Sequence, residues 1–329
     1  LNSYLRIYRH DPRTGWAVEP GSWSSLRTVR DMDGLVWSSN PGLVLRDTVD
    51  SLIWSNDSGR WIYGLGRCGP DGLLACGYGG TLMAGTRGGD GFTWNESARE
   101  LGYRHLNAID GTGCDDLWAG EWWGRVLHYD GAAWTCEDAV LPSDRSVAGV
   151  QALPGGWILA KGGDQISLRD PAGGWSGLPS PGVGLNHVFA ATPDSIFAST
   201  AAGLMIWNGV AWRDAGLPAG ADHGLAATAS GTLYGLVANG VISLRRWSGT
   251  AFETVAEFPG LADAKLCASR AGETLWVGGY VPGSPARTAV YRYEGGDLRR
   301  VSDDVVLPSW LLAMTELRAD DLFVLTAEQ

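Results

Sequence analysis

The feature that most constrains this chain is a repeat of about 40 residues, in which a small-residue turn precedes a large apolar anchor residue. Asn208-Gly209 before Trp212 is one such turn, and Asp130-Gly131 before Trp134 is another. Asn-Gly and Asp-Gly between apolar runs are strong hairpin signals. The chain is therefore predicted to be an array of β-hairpin units. The eight anchors are Trp16, Trp54, Trp94, Trp134, Trp175, Trp212, Phe252 and Leu298.

Each unit contains four short runs of strand character. In the unit that contains Trp212 the runs cover residues 186–191, 195–200, 203–207 and 211–214, with turn residues between them. Four strands in about 40 to 45 residues is the spacing of a β-propeller blade. The sequence therefore predicts an all-β fold in which eight four-stranded blades close into one ring. Seven blades is the fallback if Trp54 and Trp94 share a blade.

The two ends of the chain predict how that ring closes. After Pro308 the sequence supplies only two strands, and the missing third and fourth strands are found at residues 3–8 and 15–18. We expect a single domain over residues 1–329 with a closing blade made of 310–329 plus 1–20, which leaves no open sheet edge. Residues 310–317 are rich in helix formers, but their place in the repeat predicts a strand.

Two segments carry a family resemblance. Residues 115–120, with Asp115-Asp116-Leu117-Trp118-Ala119-Gly120, and residues 124–134 together resemble a blade of bacterial propellers built from divergent kelch-like or WD40-like repeats. Gly278-Gly279, ahead of Tyr291, resembles the kelch double glycine. The resemblance implies a propeller fold. It implies no single activity, because such propellers include scaffolds, lectins, hydrolases and lyases.

Charge and hydropathy limit the partners and the location of the protein. The net charge is −11, and the only lysines are Lys161 and Lys265, which disfavours binding to nucleic acid or to an anionic membrane. No apolar run approaches the roughly 20 residues that span a bilayer, so we expect no membrane insertion. We expect a soluble monomer. Its compartment is undetermined: the cytoplasm is favoured, and secretion stays open if a leader has been removed.

The five cysteines show no metal-binding or disulfide pattern. They are scattered and include no C-x-x-C spacing, so we expect buried free thiols and no cofactor. A pair between Cys68 and Cys76 across neighbouring strands is the alternative.

Candidate site residues come from an alignment of the predicted first strands. When Ala108, Ala190, Ala226, Ala268 and Ala313 are aligned, the position three residues earlier carries polar and aromatic side chains. The start of the first strand and the turn between strands two and three lie on one face of a blade, so we expect both sets to converge there. The set at the strand starts is His105, His187, His223, Lys265 and Trp310, with Trp61 added by a looser alignment; the turns add Trp122, Trp123, Tyr280 and Arg287.

Three functions are compatible with this face. Trp, Tyr and Arg dominate binding hot spots, so the first hypothesis is a non-catalytic scaffold that binds a protein or peptide. The second is a carbohydrate-binding propeller, and the third is a lyase or hydrolase with a histidine at the channel mouth. No catalytic motif is found and we assign no catalytic residue. A purely structural role for the histidines, or a metal site of His105, His187 and His223, remains the alternative.

Overall fold

The structure is a computed structural model that describes most of the chain. The described residues are 4–11, 13–18, 35–39, 43–47, 52–55, 62–68, 72–88, 91–96, 105–137, 140–142, 144–218, 224–228, 230–269, 272–283, 287–302, 310–318 and 321–328. His223 and Trp61, two of the predicted site residues, lie outside them.

The described residues form strands and one short 3-10 helix, η1 (Tyr78–Gly80). The first strands are β1 (Tyr4–Asp11), β2 (Gly15–Val18), β3 (Leu35–Ser39), β4 (Leu43–Asp47), β5 (Leu52–Ser55), β6 (Ile62–Cys68), β7 (Gly72–Gly77), β8 (Leu82–Gly88), β9 (Gly91–Glu96), β10 (Leu106–Gly113), β11 (Asp116–Glu121), β12 (Val126–Tyr129), β13 (Trp134–Glu137), β14 (Gly149–Leu153), β15 (Trp157–Gly162) and β16 (Gln165–Arg169). The remaining strands are β17 (Trp175–Gly177), β18 (His187–Thr192), β19 (Ser195–Thr200), β20 (Gly203–Trp207), β21 (Trp212–Pro218), β22 (Leu225–Ala227), β23 (Leu233–Asn239), β24 (Val241–Trp247), β25 (Phe252–Phe258), β26 (Ala262–Ala268), β27 (Leu275–Val281), β28 (Arg287–Glu294), β29 (Asp297–Arg300), β30 (Trp310–Arg318) and β31 (Asp321–Glu328).

Antiparallel sheets follow one another along the chain. Within the described residues, seven sheets have four strands and one, β3-β4-β5, has three. Consecutive strands pair in sequence order, as in β10-β11-β12-β13 and β14-β15-β16-β17. The all-β prediction is confirmed for these residues. Trp54 lies in β5 and Trp94 in β9, which belong to different sheets.

The two ends of the chain meet in one sheet. Its order is β2-β1-β31-β30, and β1 pairs with β31 from Tyr4 opposite Glu328 to His10 opposite Leu322. Residues 310–318 form strand β30, as their place in the repeat predicts and against their helix propensity. Closure into a single ring of eight blades remains a prediction.

The chain divides into two compact units. One comprises Leu1–Ser38 and Asp214–Gln329, and the other comprises Ser39–Arg213. In both units successive sheets bury their apolar faces against each other, which is the packing that alternating apolar strand residues require. In the second unit three buried clusters lie between neighbouring sheets from β6 to β21, with Leu106, Ile158 and Ile196 among their members. In the first unit, Trp276 and Phe258 are fully buried.

Three of the repeat anchors have the same structural role. Trp175 donates its indole N–H to the Glu137 carboxylate at 3.2 Å. Glu137 is the last residue of β13, the fourth strand of the preceding sheet. Trp212 donates in the same way to the Pro179 carbonyl. Trp16 donates to a carbonyl just beyond β29, at 2.8 Å. The anchor therefore fastens the fourth strand of one sheet to the end of the preceding sheet.

Asp116 forms the centre of a second structural network. Its carboxylate accepts hydrogen bonds from the Thr112 hydroxyl, the Trp118 indole at 2.8 Å and the His128 ring at 2.9 Å. The Trp118 and His128 rings stack at 3.8 Å. Burial raises the pKa of Asp116, but the three hydrogen bonds outweigh it and lower the pKa below its ordinary value. This aspartate is engaged in holding the strands.

One cysteine prediction was wrong. Cys76, Cys136 and Cys267 are in no disulfide, but only Cys76 is buried as expected, since Cys136 is exposed and Cys267 half-buried; Cys114 is disulfide-bonded. Cys114 follows the end of β10. Within the described residues, no helix is long and apolar enough to cross a membrane.

Candidate binding surface

A group of four side chains in the unit Ser39–Arg213, three of them exposed and one half-buried, is the strongest candidate site, and we call it the aromatic surface. It consists of Tyr78, His105, Trp122 and Trp123. Tyr78 is 50% exposed, Trp122 43% and Trp123 59%, although large aromatic side chains normally seek burial. Of the seven large hydrophobic side chains exposed among the described residues, these are the only aromatic ones. Exposed apolar groups that cluster in this way mark interaction sites.

The turn that presents Tyr78 connects β7 to β8. The carbonyl of Tyr78 accepts a hydrogen bond from the Thr81 hydroxyl at 2.7 Å, and Gly77 N–H donates to the Thr81 carbonyl at 2.8 Å. Gly79 has a φ of 67°, a left-handed conformation that favours glycine. Glycine thus permits the tight turn that leaves the phenol ring of Tyr78 in solvent.

His105 connects this turn to the next sheet. The Gly79 backbone N–H lies 3.1 Å from His105 Nδ1. A backbone N–H can only donate, so Nδ1 must be the unprotonated nitrogen, and the neutral ring carries its hydrogen on Nε2. The Tyr78 and His105 rings are 4.3 Å apart between centroids. His105 therefore fixes both the turn and the tyrosine ring beside it.

Trp122 completes the row of rings from the other side. Its ring centroid lies 4.4 Å from that of His105, and its backbone N–H donates to the His105 carbonyl at 3.2 Å. The indole N–H donates to Asn107 Oδ1, and Asn107 Nδ2 donates in turn to the Ser146 hydroxyl at 2.6 Å. The indole has no remaining donor to offer a ligand. The exposed part of its side chain can therefore offer a ligand only aromatic ring surface.

A buried ion pair lies beneath the turn that carries both tryptophans. Glu121 is completely buried, and its carboxylate accepts two hydrogen bonds from the Arg125 guanidinium, with N–O distances of 3.0 and 3.4 Å. The turn also bonds to the following loop, since Leu141 N–H donates to the Gly124 carbonyl at 2.9 Å. Gly124 has a φ of 76°, and a Cβ there would lie 2.5 Å from the Leu141 carbonyl oxygen. The local geometry thus holds the tryptophans in a fixed position.

The structure brings only some of the predicted site residues together. His105 and Trp122 are in contact, and Trp123 follows in the same turn. His187 is exposed at the start of β18. Lys265 on β26 forms an ion pair with Asp263 at 3.1 Å.

Tyr280, Arg287 and Trp310 are, like Lys265, on strands of the other unit. Tyr280 is half-buried on β27 and pairs with Thr288, the neighbour of the exposed Arg287 at the start of β28. The backbone of Trp310 begins β30. No further comparison can be made for His223 or Trp61.

The alignment that gave His105 and His187 the same blade position was wrong. In β10, Ala108 lies opposite Gly120, whereas in β18 the corresponding place, opposite Ser199, is taken by His187. Ala190 lies opposite Ile196, whose counterpart Leu117 lies opposite Gly111, so the two alanines used for the alignment are three residues out of register. His105 lies three residues before Ala108, beyond a register shift between Leu106 and Ala108.

By the same comparison of strand pairing, Lys265 and His187 occupy equivalent positions, each in its own sheet. Lys265 lies opposite Gly278, which corresponds to Ser199 in its own sheet. Among the described residues, no three His, Cys, Asp or Glu side chains are arranged to hold a metal ion.

Sequence reasoning missed Tyr78, Asn107 and the pair Glu121–Arg125. Tyr78 could have been found, because it occupies the turn between strands two and three, as Trp122 does in the next sheet. Asn107 and the ion pair act through contacts that no local sequence pattern indicates.

No family model matches the chain, and no curated protein sequence does. Solved structures do match. The WD40 repeats of RRP9 align with a TM-score of 0.60 at 10% identity, over 99% of this chain and 98% of that one. U3-55K aligns with a TM-score of 0.60 at 10% identity, over 98% of both chains. YCF48 bound to D1 peptide aligns with a TM-score of 0.54 at 16% identity, over 82% of this chain and 93% of that one. The chain has a β-propeller fold similar to that of WD40 repeat proteins.

Proposed function

We propose that this protein is a non-catalytic scaffold whose aromatic surface binds a segment of a protein partner. The observation that carries the proposal is the exposure of Tyr78, Trp122 and Trp123 on turns that are held by hydrogen bonds. Tyrosine and tryptophan supply large contact areas with few rotatable bonds, which keeps the entropic cost of binding low. A similar fold in YCF48 was solved with a peptide bound, which supports the proposal by analogy of fold alone.

Selection of peptides from a random display library tests the proposal. The protein, the double variant Trp122→Ala/Trp123→Ala and the control Val210→Ala are each used as bait. Val210 is 81% exposed in the turn between β20 and β21, so its truncation tests loss of an exposed apolar side chain elsewhere. We expect peptides to be enriched on the protein and on Val210→Ala but not on the double variant.

Two results would count against the scaffold. Equal enrichment on the double variant would show that the aromatic surface is not the binding site. Binding on a glycan array that disappears in the double variant, with no peptide enrichment, would favour the carbohydrate-binding alternative.

The other predicted contacts remain a proposal about the extent of the partner's footprint. They are His187, Lys265, Tyr280, Arg287, Trp310, His223 and Trp61. Alanine substitution of His187 and of Lys265, measured against a selected peptide, would establish whether binding extends beyond the aromatic surface.

A further inference from the structure

Among the described residues, the arginines closest along the chain to the tryptophan turn are paired with acidic side chains. Arg125 is held by the buried Glu121 carboxylate beneath the tryptophan turn. In the loop that bonds to this turn, Arg145 lies 3.7 Å from Asp144. Neither arginine is an uncompensated positive charge that would repel a cation. Neither acid is an uncompensated carboxylate that would bind one by itself.

His105 adds no positive charge in this arrangement. Its Nδ1 accepts the Gly79 N–H, which only the unprotonated nitrogen can do. Lys161, on the next sheet along the chain, has its pKa lowered by burial, with Asp164 acting in the opposite direction. Its Nζ donates to the Asn186 carbonyl. The positive groups described in this part of the unit are therefore either engaged or neutral.

The surface offers exposed aromatic rings on a chain of net charge −11. The face of an indole or phenol ring carries negative electrostatic potential and attracts the cations of arginine and lysine. The overall charge attracts a basic partner and repels an acidic one. Ring faces and net charge thus favour the same class of ligand.

We infer that the segment bound at the aromatic surface is basic, with an arginine or lysine side chain stacked on Trp122 or Trp123. The inference rests on the proposed function and specifies its partner. Recognition comes from the ring faces, since the Trp122 indole N–H is already bonded to Asn107. Each stacked cation contributes about a two- to fivefold gain in affinity over an uncharged group of the same shape.

Three defined peptides test the inference by calorimetric titration: acetyl-(Gly-Arg)3-amide, the same peptide with citrulline for arginine, and acetyl-(Gly-Glu)3-amide. Citrulline keeps the size of arginine and removes its charge. We expect the arginine peptide to bind most tightly, the citrulline peptide at least about twofold more weakly, and the glutamate peptide least. In Trp122→Leu/Trp123→Leu the preference for arginine over citrulline should fall to the part that the net charge alone supplies, while Val210→Ala should retain it in full.

Several results would overturn the inference. One is equal affinity for arginine and citrulline peptides, another is tighter binding of the glutamate peptide, and a third is an arginine preference that is undiminished without the two tryptophans. Absence of measurable arginine-peptide binding would overturn it as well. The proposed function is tested separately by the display selection. If that selection enriches uncharged or acidic peptides and the enrichment requires Trp122 and Trp123, the proposed function holds although the inference of a basic partner fails.

Discussion

Replacement of Arg125 by methionine is expected to destabilise the protein by removing the guanidinium that pairs with a buried carboxylate. The Glu121 side chain has no exposed surface, and Arg125 supplies two charged hydrogen bonds to it at 3.0 and 3.4 Å. Removing one member of a buried ion pair costs about 3 to 5 kcal/mol. The Arg125 side chain is 31% exposed, so water reaches part of the pair and the lower end, about 3 kcal/mol, applies.

Urea unfolding of the full chain, followed by circular dichroism, measures this loss. A matched control is Arg145→Met, because Arg145 and Asp144 are 51% and 74% exposed and their pair should contribute less than about 1 kcal/mol. Adding Glu121→Gln to Arg125→Met should recover part of the stability, since the buried charge is then removed. The reasoning is refuted if Arg125→Met costs no more than Arg145→Met, or if the added Glu121→Gln makes the protein less stable still.

Three further perturbations test other parts of the structure. The lowered pKa of Asp116 means that its stabilising contribution is complete above the unfolded-state pKa of about 3.9 and is lost as the pH falls through the folded-state value. Unfolding at several pH values should therefore show that Asp116→Asn is less stable than the unmodified protein at pH 7 and that this difference shrinks below about pH 4. A stability difference that grows on acidification would contradict this. Cys114→Ser should cost about 2 to 4 kcal/mol by loss of the disulfide, whereas Cys136→Ser, at an exposed free thiol, should be nearly neutral by the same unfolding assay. Trp175→Phe should cost about 1 kcal/mol by loss of the hydrogen bond to Glu137, and an unchanged midpoint would show that this anchor contributes only its apolar surface.

The strands were predictable from the sequence because turn residues and apolar alternation repeat at nearly equal steps. Residues 195–200 and 203–207 match β19 and β20, and residues 310–318 form a strand despite their helix propensity. In the last case the pairing of β30 with β31 decides the conformation, because packing and ladder hydrogen bonds outweigh a small difference in intrinsic preference.

The candidate site was only partly predictable. Trp122 and Trp123 were found because adjacent aromatic residues in a short turn are unusual. The blade position of His105 was not, because the alignment matched Ala108 with Ala190, and the strand pairing places these two alanines three residues out of register. Contacts between sheets, such as Gly79 N–H with His105 Nδ1, join residues 26 apart that no local pattern connects.

The most direct test of the central claim is the change in dissociation constant for one display-selected peptide when the two exposed tryptophans are removed. If the aromatic surface is the binding site, Trp122→Ala/Trp123→Ala should weaken binding by about 30-fold or more, as expected for a hot spot of 2 kcal/mol. Val210→Ala should leave the affinity unchanged. An equal dissociation constant for the protein and the double variant would contradict the account.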